Sequence, residues 1–256
     1  MLPLERQNKI LEQLSEDGVV SVSKLSSELD VTEETIRRDL EKLEKKEFLR
    51  RTHGGAVPID GTTFELSLEK RKRTNVEEKS RVAKIAAGYV VSGDTIFLDA
   101  STTTFYMARE LKKMKNLTVI TNSVRVINEL DGEEGIKVIA IGGLLSKNQS
   151  FVGAMAETAI KENYFATKMF FSSKGVTADA GILDSNEQES GIKIAMMRNS
   201  QERFYMCDSS KLSRIGFVKL CGFEGIDYFI TESLCDDTLK MHLEEHEVKL
   251  VVSSEQ

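Results

Sequence analysis

The chain has 256 residues, 40% hydrophobic and 30% charged, a balance that fits a folded globular protein and excludes a disordered or fibrous one. Its net charge of −6 disfavours indiscriminate polyanion binding by the surface as a whole. No apolar run approaches the roughly 20 residues that span a bilayer, no signal-peptide core opens the chain, and Cys207, Cys221 and Cys235 show no CxxC spacing, so they read as reduced cytoplasmic thiols and not as a zinc site.

At the N-terminus, Ile10, Leu11 and Leu14 make an apolar stripe on a helix that begins near Leu4 and ends at Gly18. Val20-Ser21-Val22 is short and β-like. Ser23 is the expected cap of a second short helix carrying Leu25 and Leu29, and Asp30-Val31 makes a tight turn. Thr32 then opens a third helix in the manner of a capping box. Ile36, Leu40 and Leu43 recur at spacings of four and three, so one face packs inward. The other face carries Thr35, Arg37, Arg38 and Lys42, which suit phosphates and base edges in a major groove. Two helices joined by a short turn make a helix-turn-helix. Residues 48–57 alternate in part around Gly54-Gly55, which suggests a β-hairpin wing along a phosphate strand.

Residues 1–58 hold ten basic and twelve acidic side chains, which counts against a nucleic-acid domain. Over residues 37–51, however, seven basic residues face four acidic ones, and only the presented face meets phosphate. DNA contacts are expected from Ser21, Thr32, Glu33, Thr35, Arg37, Arg38, Lys42, Arg51 and His53. The plainer alternative is a solvated three-helix module for protein contact. Which of Arg37 and Arg38 reads a base is open.

Residues 59–75 read as a linker. Ile59-Asp60-Gly61-Thr62-Thr63 is loop-like, and Lys70-Arg71-Lys72-Arg73 is either a solvated face or a second phosphate contact. Residues 77–90 are amphipathic, with Val82, Ile85, Ala86 and Tyr89 on one side, and should pack on a second domain or dimerise. Short apolar strands then alternate with helices. Strands are expected at 95–98, 117–120, 138–141, 168–171, 204–207, 229–230 and 248–252, and helices at 104–113, 124–130, 155–162, 187–199 and 236–245. That order predicts an α/β domain over residues 76–256, a mostly parallel sheet with helices on both faces, behind an α+β winged helix-turn-helix. His242 and His246, four apart, suit a metal pair or two surface histidines, and no surrounding motif favours the metal. No metal, cofactor or catalytic set is expected.

In such sheets ligands sit at the carboxyl ends of strands. The segments following the strands are Asp99-Ala100-Ser101-Thr102-Thr103-Thr104, Thr121-Asn122-Ser123, Gly142-Gly143, Ser172-Ser173-Lys174-Gly175 and Asp208-Ser209-Ser210-Lys211. Hydroxyls and backbone N–H groups at helix starts hold phosphate, and Asp or Asn reads sugar hydroxyls. The same residue types also cap helices. Five such segments on one edge point to a small phosphorylated polyol, with candidate contacts Asp99, Ser101, Thr102, Thr103, Asn122, Ser123, Gly142, Gly143, Lys174, Glu189, Lys193 and Lys211. Glu189 and Lys193 are four apart on one helix. They are either an exposed ion pair worth ~0.3–0.5 kcal/mol or a pair set over the pocket.

Glu5-Arg6, Ile10, Leu14, Gly18, Val20-Ser21-Val22, Leu25, Val31-Thr32-Glu33-Glu34-Thr35-Ile36-Arg37-Arg38-Asp39-Leu40, Leu43-Glu44 and Arg51-Thr52-His53-Gly54-Gly55-Ala56 resemble the DeoR family of bacterial transcription regulators. Leu98-Asp99, Thr102-Thr103-Thr104, Leu117-Thr118-Val119-Ile120-Thr121-Asn122-Ser123, Gly142-Gly143, Phe151-Val152-Gly153, Gly175-Val176, Glu189, Lys193, Met196 and Asp208-Ser209-Ser210-Lys211 resemble that family's C-terminal domain, which is similar in fold to ribose-5-phosphate isomerase. Glu47 and Ser101 stand where the family usually has Gly, and Thr167 where Asp is common. The resemblance implies a cytoplasmic repressor of a carbohydrate catabolic operon. Its partners would be double-stranded operator DNA with repeated half-sites, bound by a homodimer or homotetramer, and a phosphorylated sugar whose phosphate lies near Ser101, Thr102 and Thr103. The alternative is a sugar-phosphate isomerase-like enzyme with an accessory DNA-binding domain, using Asp99 or Glu189 with Lys193. The strand ends lack a dense carboxylate cluster, and a helix-turn-helix has no use in an isomerase.

Overall fold

The structure, a computed structural model, describes residues 2–46, 48–58, 68–234 and 236–253. They divide into two units between Thr74 and Asn75.

The first unit runs α1 (Pro3–Asp17), β1 (Val20–Ser21), α2 (Val22–Glu28), α3 (Glu33–Lys45), β2 (Arg50–Thr52), β3 (Gly55–Val57) and α4 (Leu68–Arg73). α1 stops where Gly18 takes φ 69° and returns its N–H to the Leu14 carbonyl at 2.9 Å. Ser21, not Ser23, caps α2, because Val22 is already helical and the Ser21 hydroxyl accepts the Lys24 N–H. Thr32 caps α3 by accepting the Thr35 N–H at 3.3 Å. The expected capping box is half made: the residue three on from the cap is Thr35, not an acid, and its hydroxyl bonds that of Thr32.

Ile10, Leu14, Leu25, Ile36, Leu40, Leu43, Leu49 and Ala56 bury together as the core of this unit. Asp39 joins them on the inward face of α3. It is 1% exposed and accepts Arg6 Nε at 2.5 Å and Gln7 Nε2 at 3.0 Å, which fixes α3 against α1. β2 and β3 form the antiparallel hairpin, and β1 adds to β3. A Cβ at Gly55 would lie 1.8 Å from the Val20 carbonyl oxygen, so this pairing requires glycine. α4 falls within the segment read as a linker. Its Lys70 ammonium donates to the Asp17 carbonyl at the end of α1, where a cation complements the helix dipole. Glu47 and residues 59–63 lie outside the described residues.

The second unit begins with α5 (Val76–Ala87), β4 (Thr95–Leu98), α6 (Thr102–Leu111), β5 (Leu117–Thr121), α7 (Val124–Leu130) and β6 (Ile136–Ala140). A hairpin of β7 (Leu144–Leu145) and β8 (Phe151–Val152) precedes α8 (Ala154–Asn163) and β9 (Ala166–Phe171). Next come β10 (Gly175–Thr177), β11 (Gly181–Asp184), α9 (Glu187–Arg198), β12 (Ser200–Met206), β13 (Val218–Cys221), β14 (Tyr228–Thr231), α10 (Asp237–Glu245) and β15 (Lys249–Val252). Among the described residues the main sheet has seven strands in the order β15-β14-β12-β9-β4-β5-β6, every neighbouring pair parallel.

Alternation along the strands sends Phe97, Phe171, Tyr205 and Phe229 to one face, and Ile96, Leu98, Phe170, Phe204 and Ile230 to the other. α5 lays Val82, Ala83 and Ala86 on the second face. Tyr89 follows, with its ring 5.4 Å from Phe204 and 5.3 Å from Tyr228. The hairpin β7–β8 and a small antiparallel sheet, β10-β11-β13, were not expected from the sequence. Their strands have two to four residues, too few for a period of two to register. Thr167, placed where the family has Asp, donates to Asp94 at 3.1 Å and to the Thr95 carbonyl at 2.9 Å.

The register sets the edge that matters. Leu98 lies beside both Thr121 and Phe170, Thr121 beside Ala140, Phe171 beside Tyr205, and Met206 beside Ile230. The strands therefore end level, and the segments that follow them share one edge. β5 and β6 lie on one side of β4, whereas β9, β12, β14 and β15 lie on the other. The sheet thus reverses direction between β4 and β9, where an open α/β sheet leaves a crevice. No described helix is long and apolar enough to cross a membrane.

Candidate functional site

Two surfaces gather the candidate residues. On the first unit, Arg37, Arg38 and Lys42 are exposed along α3. Arg37 pairs with Glu33 at 2.7 Å and Arg38 with Glu34 at 3.4 Å, one turn earlier in each case. Arg51 on β2 donates its backbone N–H and its Nε to Glu44, at 2.9 and 2.7 Å, and these bonds hold the Glu44 carboxyl below its ordinary range. Exposed pairs of this kind are worth at most about 1 kcal/mol, so each guanidinium can exchange its carboxylate for a phosphate.

A cleft of about 440 Å³ is lined by Val22, Arg37, Leu40, Glu44, Arg51, Thr52, His53 and Gly55. It brings Arg37, Arg51 and His53 together. Ser21, Thr32, Glu33, Thr35, Arg38 and Lys42 do not line it. Ser21 and Thr32 instead stand at the first turns of α2 and α3 as caps. Asp39, absent from the expected contacts, is a buried residue of α3. Its place in the 36-39-40-43 spacing was the signal that it turns inward.

On the second unit the site builds from the end of β4. α6 starts two residues before the expected position, because Ser101 (φ −70°) caps it and accepts the Thr104 N–H. Thr102 and Thr103 thereby become first-turn residues, whose N–H groups have no intrahelical acceptor. Asp99 is fully buried and organises this loop. One oxygen accepts the Ser101 N–H and the Thr104 hydroxyl; the other accepts the Ser172 N–H at 3.2 Å and lies 3.4 Å from Lys193.

Lys211, on a single 3₁₀ turn after β12, reaches across the switch point. Its Nζ lies 3.1 Å from Thr103 Oγ1, 2.5 Å from Ser172 Oγ and 3.1 Å from Asp208. Burial raises the Asp208 carboxyl, but Lys211, Ser210 and Lys79 outweigh it and hold Asp208 below its ordinary range. Lys79 is a buried α5 residue that the sequence reading passed over as part of an amphipathic helix.

At the end of β5, Asn122 is 1% exposed, and its Nδ2 donates to the Phe151 carbonyl. Its Oδ1 is buried and accepts no hydrogen bond among the described residues. Ser123 caps α7 by accepting the Val126 N–H. Gly142 and Gly143 follow β6 and are exposed; a Cβ on Gly143 would meet the Val152 carbonyl oxygen at 2.8 Å. Lys174 is half-buried after β9 and donates its backbone N–H to Leu183.

Glu189 and Lys193 are not an exposed pair: both are buried on α9. Lys193 bonds Asp184 on β11 at 2.5 Å as well as facing Asp99, while Glu189 accepts from Ser150 and Ser146. Burial pushes Lys193 down, but Asp184, Asp99 and Glu189 push it up further, so it stays charged. Two neighbouring groups are inert. Burial pushes the Cys207 and Cys221 thiols up to about 12, so they stay protonated; Cys235 lies outside the described residues. No cluster of three or more potential metal ligands occurs among the described residues.

Comparison with known proteins places both units. A family model described as a DeoR-like helix-turn-helix domain matches residues 6–62, and one described as the DeoR C terminal sensor domain matches residues 74–233. The chain is 45% identical to the uncharacterized HTH-type transcriptional regulator YulB of Bacillus subtilis, over 98% of this chain and 96% of that one. It is 32% identical to the L-fucose operon activator of Haemophilus influenzae, over 96% and 99%, and 31% identical to the transcriptional repressor AccR of Agrobacterium fabrum, over 90% and 89%. Among solved structures, ribose 5-phosphate isomerase A from Methanocaldococcus jannaschii is similar over 55% of this chain and 56% of that one, with 20% identity and a TM-score of 0.42.

Proposed function

Because the chain belongs to the DeoR family of helix-turn-helix transcription regulators, we propose that it is a repressor of a carbohydrate catabolic operon whose DNA binding is controlled by a phosphorylated sugar at the switch point of its sheet. The chain is a regulator and not an enzyme. Relatives of similar identity are named for both activation and repression, so relief of repression by the sugar is the outcome to test first.

The observation that carries the sugar-phosphate reading is the meeting of three kinds of donor at one point. The first-turn N–H groups of Thr102 and Thr103, the Thr103 hydroxyl, and the Lys211 ammonium 3.1 Å from that hydroxyl suit one oxyanion. Charge-assisted bonds of this type contribute ~1.5–3 kcal/mol each. Asp99 holds the loop in place from below, and the open acceptor on Asn122 suits a sugar hydroxyl. On the DNA side, α3 lies in the major groove, with Arg37, Arg51 and His53 turned to the duplex from one cleft. A dimer or tetramer in the cytoplasm would set two such helices on repeated half-sites.

The test is thermal melting of the whole protein against phosphorylated sugars and their unphosphorylated parents. A ligand at about 100 times its Kd adds ~2.7 kcal/mol of apparent stability. A shift with a phosphosugar that its parent lacks, and that Lys211→Met removes, is expected. Equal shifts with both forms, or none with any, would overturn the reading.

A further inference from the structure

We propose that the two neighbouring arginines of α3 divide the work of recognition: Arg38 reads a guanine in the major groove, and Arg37 grips a phosphate strand together with Arg51 of the hairpin. The inference rests on the reading of α3 as the helix that enters DNA, and it assigns each arginine its part. Ile36, Asp39, Leu40 and Leu43 make the buried stripe of α3. With about 100° between successive residues of a helix, Arg38 points within about 30° of the direction opposite that stripe, and Arg37 about 70° from that direction. Exposure follows the angle: the Arg38 side chain is 73% exposed and that of Arg37 55%.

A helix with its side chains is about 10–12 Å across and the major groove about 12 Å wide, so the helix fills the groove. What points straight out meets base edges at the floor, and what points sideways meets the phosphates of the walls. Residues near the start of a recognition helix are the ones that reach base edges. Arg38 is the sixth residue of α3, and its side chain leans toward the first turn, where Glu34 lies 3.4 Å from its Nε. Lys45 shares the outward line but stands two turns further on and pairs with Glu41 at 2.8 Å. An arginine fork matches the O6 and N7 acceptors of guanine, which fixes the base. Arg37 turns to the side of the hairpin: it lines one cleft with Arg51 and His53, beside Leu40 and Glu44 of its own helix flank. Three donor side chains converging from two elements suit a backbone phosphate, which carries no sequence information. Lys42 is exposed on the opposite flank of α3, about 70° from the outward direction, and is placed for the other wall.

The test uses the whole protein, a duplex selected from a random-sequence library, and a set of duplexes in which each base pair is replaced in turn. Arg38→Ala should bind the selected duplex about 5–150-fold more weakly and become indifferent to replacement of one G·C pair, while keeping every other preference. Arg38→Lys should not restore that preference, since an ammonium has no fork. Arg37→Ala should keep every base preference, lose affinity evenly across the set, and make the slope of log affinity against log salt shallower by about 1. Arg37→Lys should recover most of that loss, since a phosphate accepts a point charge. Should either alanine variant melt early, the lysine variant at the same position supplies the same contrast. Retention of every base preference by Arg38→Ala, or loss of one in Arg37→Ala, would overturn the assignment while leaving DNA binding standing. Failure of the selection to enrich any duplex would instead sink the reading of α3, and the assignment with it.

Discussion

The two units use charge in opposite ways. In the first, three exposed arginines, Arg37, Arg38 and Arg51, are tethered to carboxylates at the surface. In the second, Lys193 lies between Asp99 and Asp184, and all three are buried. A surface pair is weak and exchangeable, which suits a group that must release its partner to meet a phosphate strand. A buried set is costly to break and holds its neighbours in one geometry. The first unit also has a buried pair, Arg6 with Asp39, and it fixes the helix that the exposed arginines ride on. Mobility of charge and fixity of frame are thus separated residue by residue.

The largest effect should come from breaking the buried set. Lys193→Met leaves Asp99 and Asp184 facing each other without their cation, and it should destabilise the second unit by ~3–5 kcal/mol in chemical denaturation. A loss under about 1 kcal/mol would mean that the set behaves as a surface pair does. Arg37→Ala should weaken operator binding by ~1–3 kcal/mol if it reads a base. If it touches phosphate, it should flatten the salt dependence evenly across sequences. In either case its melting temperature should stay near that of the native protein, because the Glu33 pair is exposed.

Acidification should have a smaller effect on the second unit. Asp94 is raised by burial, but Lys168, the Val91 N–H and Thr167 outweigh that and hold it below its ordinary 3.8. Asp208 is held below the same value. A carboxyl lowered on folding contributes stability that is complete above its unfolded value and is lost as pH falls through the folded one. The second unit should therefore lose stability below about pH 3.8, and Asp94→Asn should lose less over that range. An acid limb unchanged by Asp94→Asn would remove Asp94 from the account. The smallest effect is Glu33→Gln, which frees Arg37 at a stability change of only ~0.3–0.5 kcal/mol. Tighter operator binding by this variant would show that Glu33 competes with DNA for the arginine, and weaker binding that Glu33 itself touches the duplex.

Much of this was legible in the sequence because the signals are local. The spacing of Ile36, Leu40 and Leu43, the stop at Gly18 and the apolar runs at β4, β5, β9 and β12 each follow from neighbours a few residues apart. The hydroxyl-rich segments after the strands mark one sheet edge by composition and order alone. What the sequence hid depends on partners far along the chain. Lys193 and Glu189, four apart, look like an exposed helical pair until β11 and the β7–β8 hairpin supply Asp184 and Ser150. Asp39 looks like one more surface acid until Arg6 and Gln7 arrive from α1.

The most direct measurement of the central claim is the affinity of the whole protein for a duplex selected from a random-sequence library, with and without the phosphosugar that raises its melting temperature. Linkage requires that a ligand coupled to DNA binding change the Kd for DNA by the same factor by which DNA changes the Kd for the ligand. The account predicts a fall in operator affinity of about 5–150-fold at saturating phosphosugar, with Lys211→Met binding DNA as the native protein does but without the response. A phosphosugar that stabilises the protein yet leaves the affinity for the selected duplex unchanged would contradict it.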